Sequence, residues 1–130
     1  MSLENQALMT MIALIGLGSI GLRHAANFIS CGVDVIGFDP DASRQEALRQ
    51  ADGATVDSRA AALSVADAAV IASPNRFHLE DLAAAVDANC HVLAEKPLAH
   101  TLEGVDEVLD RFDEHGLDCE GNKNGKNGYF

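Results

Sequence analysis

Gly16-Leu17-Gly18-Ser19-Ile20-Gly21 places three glycines at the spacing that lets a backbone hold a pyrophosphate. Gly16 permits a tight turn out of the preceding apolar run. Gly18 lacks a Cβ, so a phosphate can approach the main chain. Gly21 lets the following helix pack closely. The N–H groups of Ser19 and Ile20 then belong to a first helical turn, where unpaired donors and the helix dipole favour an anion. Asp39 lies 21 residues after Gly18, at the end of a second apolar run. A carboxylate there can accept both hydroxyl protons of a ribose and repels a 2′-phosphate, which favours NAD over NADP. Arg44 is the nearest cation that could support NADP.

The elements needed to hold these groups follow from the apolar pattern. Met11-Ile12-Ala13-Leu14-Ile15 reads as a buried parallel strand, and residues 19–30 as the helix after it. Further strands are expected at 34–38, 54–56, 68–72 and 91–94. Helices are expected at 41–50, 58–65, 75–88 and 102–115, with caps at Asp41 or Ser43, at Asn75 and at Thr101. This alternation predicts an α/β fold, a doubly wound parallel sheet of the Rossmann type. Strand, glycines, helix and distal acid in one ~30-residue unit predict dinucleotide binding far more strongly than the glycines alone.

Composition agrees. Nearly half of the 130 residues are apolar, aromatics are few and tryptophan is absent, as suits a core of Ala, Val, Leu and Ile. A net charge of −11 argues against nucleic acid or an anionic membrane as partner. Cys31, Cys90 and Cys119 have no metal-type spacing, so no metal site is predicted. Cys31 and Cys90 read as small core residues. With no basic signal segment and no apolar run of spanning length, a cytoplasmic location is expected.

The dinucleotide-binding domain is assigned to residues 9–116. Residues 1–8 are polar and read as added to the native chain or disordered, since Met9 and Met11 are plausible native starts. From 117 to 130 the periodicity fails and Gly, Asn and Lys accumulate, which predicts an irregular tail.

Three further segments carry a family resemblance: Arg23-His24 after the glycines, Ser73-Pro74-Asn75-Arg76-Phe77-His78 after the fourth strand, and Glu95-Lys96-Pro97-Leu98-Ala99 after the fifth. With the glycine turn they resemble the N-terminal domain of the glucose–fructose oxidoreductase, inositol dehydrogenase and rhizopine-catabolism (Gfo/Idh/MocA) family. The resemblance implies a nicotinamide oxidoreductase acting on a hydroxyl or carbonyl carbon, most often of a sugar or cyclitol. It implies cofactor contacts at Ser73, Asn75, His78 and Glu95, and Lys96 beside the reacting oxygen as the catalytic residue. Each has a plainer alternative: Asn75 as a helix cap, His78 closing a turn, Lys96 as a solvated lysine before a proline. Full-length members also carry a second domain that supplies most of the substrate pocket, a proton-transfer pair and the usual oligomer interface. The resemblance therefore implies that these 130 residues alone turn over little substrate, and that an uncovered apolar face promotes self-association. The other reading is a stand-alone, non-catalytic dinucleotide-binding module acting as a sensor or subunit.

Overall fold

The computed structural model describes residues 10–94 and 103–120. Among these residues six strands form one sheet: β1 (Met11–Ile15), β2 (Asp34–Phe38), β3 (Ala54–Thr55), β4 (Ala68–Ile71), β5 (His91–Ala94) and β6 (Cys119–Glu120). The spatial order is β3-β2-β1-β4-β5-β6, and every neighbouring pair is parallel. The winding direction reverses between β1 and β4, so a crevice opens at their carboxyl ends. Met11 pairs with Asp34 on one side, and Ile12 with Ala68 on the other.

Among the described residues, five α-helices connect the strands: α1 (Ser19–Ser30), α2 (Ala42–Gln50), α3 (Arg59–Ser64), α4 (His78–Asp87) and α5 (Val105–Glu114). The central strands are apolar on both faces, so each face needs its own helical cover. On one face Leu14, Leu17, Ala25, Leu48 and Val70 pack under α1 and α2. On the other, Ile15, Leu63, Ile71, Leu82, Val86 and Phe112 pack under α3, α4 and α5.

Helix ends follow local chemistry. Asp41 caps α2 by accepting the Ser43 N–H at 2.8 Å, and Ser58 caps α3 by accepting the Ala61 N–H at 3.0 Å. Left-handed residues end four helices: Gly32, Asp52, Asn89 and Gly116, each with positive φ. After each, the next N–H bonds back five residues, as in Leu117 to the Phe112 carbonyl at 2.8 Å.

Four expectations need correction. The helix foreseen from 75 begins only at His78, after a 3₁₀ turn Asn75–Phe77, and the Asn75 side chain caps nothing. Pro74 holds an extended backbone (φ −56°, ψ 147°), and the chain tightens through the 3₁₀ turn before α4 starts. The last helix begins at Val105, because Gly104 is left-handed (φ 83°); Thr101 lies outside the described residues. Leu117 is buried and Cys119–Glu120 pairs in parallel with β5, so the sheet continues past 116. A two-residue edge strand needs little apolar sequence, which is why its composition hid it. Cys31 is exposed at the end of α1, whereas Cys90 is buried.

Candidate functional site

The carboxyl ends of β1, β2 and β4 open into a cleft of about 1030 Å³. Its lining includes Gly16, Asp39, Arg44, Arg59, Ser73 and Asp81. The volume suits a ligand of nucleotide size.

Gly16, which opens the β1–α1 turn, lines one wall. Gly16 has φ +98°, and a Cβ there would stand 2.5 Å from the Ser73 nitrogen, so no other residue fits without moving main chain. Gly21 approaches the same turn; its Cβ would meet the Gly16 carbonyl oxygen at 2.0 Å. Gly18 differs. A Cβ at Gly18 would meet nothing within 4 Å, and its φ of −71° is open to any residue. The fold does not need a glycine at that position, but a group outside the chain that must touch the main chain does. Gly18 is also the N-cap of α1, which has no side-chain cap and no acidic residue in its first turn. Among the described residues, no side chain caps the N–H groups at Ser19 and Ile20.

Asp39 stands beside this turn, only 4 % exposed. Its Oδ2 accepts the Leu17 N–H and its Oδ1 the Asp41 N–H, both at 2.8 Å. The Leu17 bond ties the β2 end to the glycine turn, a link the sequence did not reveal. A carboxylate has about four acceptor positions, so capacity remains for a diol. Arg44 Nη1 lies 3.7 Å from Oδ2, closer than its place inside α2 suggested. The neighbouring Asp41 is held below the usual carboxylate range by the Ser43 hydroxyl and N–H.

The β4–α4 turn forms the facing wall. The Ser73 hydroxyl donates to Asp81 Oδ2, and His78 Nε2 lies 2.6 Å from the Ser73 carbonyl oxygen. His78 is 1 % exposed, and its ring adjoins the main chain of Ser73. Asn75 is exposed on the 3₁₀ turn, where Arg76 lies 4.6 Å above the Phe77 ring. Glu95 and Lys96 fall outside the described residues; β5 ends at Ala94, paired with Ile71 of β4.

Sequence reasoning missed Arg59 and Asp81. Asp81 accepts from Arg59 Nη1 at 2.7 Å, and its side chain is 4 % exposed. Partial burial pushes the Arg59 guanidinium down, but the bonds and charges of Asp81 and Glu80 outweigh it and hold it above the ordinary arginine value. A signal was present: positions 78, 81, 82, 85 and 86 form one buried stripe, and Asp81 is its carboxylate. Among the described residues, no three His, Cys, Asp or Glu side chains are grouped to hold a metal ion. No described helix is long and apolar enough to cross a membrane.

Comparison with known proteins agrees with this geometry. The model of the GFO_IDH_MocA family, described as an oxidoreductase family with an NAD-binding Rossmann fold, matches residues 10–120. D-glucoside 3-dehydrogenase of Escherichia coli (strain K12) is 37 % identical over 106 residues, 76 % of this chain and 30 % of that protein. The WlbA dehydrogenase of Bordetella pertussis, solved with NADH and UDP-GlcNAcA, superposes with a TM-score of 0.78 at 25 % identity. The match covers 92 % of this chain and 38 % of that one. A 3-ketoreductase from Actinomadura kijaniata, solved with NADP and TDP-benzene, gives 0.76 at 25 % identity, covering 88 % and 37 %. The chain thus spans about a third of the length of the relatives it matches.

Proposed function

Because this chain belongs to the Gfo/Idh/MocA oxidoreductase family, we propose that it forms the cofactor-binding part of a dehydrogenase that moves hydride between nicotinamide and a sugar or cyclitol carbon. Gly18 carries the reading, since the fold leaves open the space in front of it. The nicotinamide cofactor supplies the hydride donor or acceptor when bound. The chain's residues orient it. Main-chain N–H groups at the start of α1 take the pyrophosphate, and the remaining lone pairs of Asp39 take the adenosine ribose. The wall at Ser73 and Asn75 flanks the nicotinamide half.

NAD is the preferred form. Asp39 repels a 2′-phosphate, and its bonds to a ribose diol are worth about 1.5–3 kcal/mol. Arg44 tempers this preference without reversing it, because it is half exposed and already lies against Asp39 and Asp41. The relatives named above bind NADH in one case and NADP in another, so titration with both cofactors is the test. Equal or tighter NADPH affinity would remove Asp39 from its role.

Lys96 is the residue proposed to meet the reacting oxygen. A cation there stabilises alkoxide character or passes a proton. Sugar chemistry is supported by the names of the relatives, which include a glucoside dehydrogenase and an enzyme solved with a sugar nucleotide. These 130 residues alone are expected to give negligible turnover, since positioning and proton transfer need groups from a second domain. A robust NAD-linked rate with any polyol, abolished by Lys96→Ala, would contradict that expectation. The reading as a sensor or subunit module draws no support from the comparisons.

A further inference from the structure

Asp81 and Arg59 have no part in the contacts proposed so far. Asp81 occupies the first turn of α4, on the buried stripe it shares with His78, Leu82, Ala85 and Val86. A carboxylate at such a place is costly unless it is paired and hydrogen-bonded. Both oxygens are used. Oδ1 accepts from Arg59 Nη1 at 2.7 Å, and Oδ2 accepts from the Ser73 hydroxyl. Arg59 is the first residue of α3, and its Nη2 lies 3.4 Å from Glu80. One carboxylate therefore joins α3, α4 and the β4–α4 turn, all three of which line the cleft. His78 Nε2 reaches the Ser73 carbonyl at 2.6 Å. Residue 73 is thus held at its side chain and at its carbonyl, and its nitrogen rests on Gly16.

We infer that Arg59 and Asp81 are positioning residues for dinucleotide binding: their ion pair fixes the Ser73 hydroxyl and, through it, the cleft wall that faces the glycine turn. This rests on the cofactor reading above. Stability alone is a poor reason for such a pair, because apolar side chains of similar volume commonly serve a fold as well or better. An apolar pair cannot give the Ser73 hydroxyl a directional acceptor. The charged pair gives the wall one position, so less ordering is left to be done when the cofactor binds.

The test separates positioning from packing. The full chain is compared with Asp81→Asn, Ser73→Ala and the double variant Arg59→Met/Asp81→Leu. Three quantities are measured: the thermal midpoint, amide hydrogen exchange of residues 72–77 without cofactor, and NADH affinity. The double variant is expected to keep the parental midpoint, yet to exchange faster at 72–77 and bind NADH about 10-fold more weakly. Asp81→Asn should show the same local loosening with a lowered midpoint. Ser73→Ala should reproduce the weaker binding in the parent and add nothing to the double variant, since both remove one interaction. A double variant with parental exchange and parental affinity overturns the inference. Should it not fold, Ser73→Ala decides, and parental exchange and affinity there overturn the inference equally. A parent chain that binds neither NADH nor NADPH overturns the proposed function and this role with it. A parent that binds, beside variants that match it, overturns this role alone.

Discussion

On the β1 side of the cleft the chain makes room by omission. Gly16, Gly18 and Gly21 carry no side chains, and the wall is main chain. On the β4 side the chain builds with buried charge: Asp81, Arg59 and Ser73 form a connected polar group under the turn. The first wall is fixed by what cannot be placed there. The second is fixed by directional bonds between residues up to 22 positions apart. A steric requirement is local and nearly absolute. A polar network is distributed, so it yields by steps when single members are lost.

That contrast sets the order of effects. Gly16→Val should do most damage, because its Cβ would stand 2.5 Å from the Ser73 nitrogen on a backbone of φ +98°. A cost of about 3 kcal/mol or more is expected, read as a lower urea midpoint. A parental midpoint would mean that the two walls are not in contact. Next, Asp39→Ala should weaken NADH binding by about 1.5–3 kcal/mol and narrow the gap to NADPH. Titration with the two cofactors reads this, and an unchanged ratio would detach Asp39 from the ribose.

On the polar wall, Ser58→Ala removes the cap of the helix that begins with Arg59 and should cost about 1 kcal/mol in thermal or urea unfolding. No loss would show that α3 is held by Arg59 and Leu63 without its cap. Arg44→Ala should do least. The side chain is 51 % exposed and its contact with Asp39 is long at 3.7 Å, so the fold should change by less than about 1 kcal/mol. Its readout is NADPH affinity, which should fall while NADH affinity holds. A fall in both would place Arg44 on a group the two cofactors share.

The same contrast explains what could be read from residues alone. The glycine turn, Asp39 and the doubly wound parallel sheet were legible because spacing and hydrophobic period are local properties. The bond from Asp39 to Leu17 was not, since it depends on how β1 and β2 register. Asn75 has a residue type that suits a helix cap, but Pro74 and the 3₁₀ turn move the helix start to His78. Asp81 was visible as a carboxylate on an apolar stripe, and that pattern demands a partner. Its partner lies on another helix, which periodicity does not reach. β6 was hidden because a two-residue edge strand takes its stability from β5 and Leu117 rather than from its own sequence.

The central claim is that the space before Gly18 belongs to a dinucleotide. One measurement reaches it directly: NADH titration of the chain and of Gly18→Val, each with its thermal midpoint. A valine there meets no protein atom at its Cβ, so the variant should fold with a midpoint close to the parent's. The account expects saturable NADH binding to the parent, one molecule per chain, and none to the folded variant. Equal affinity in the two proteins would contradict it, and would leave the glycine turn a structural feature without a ligand.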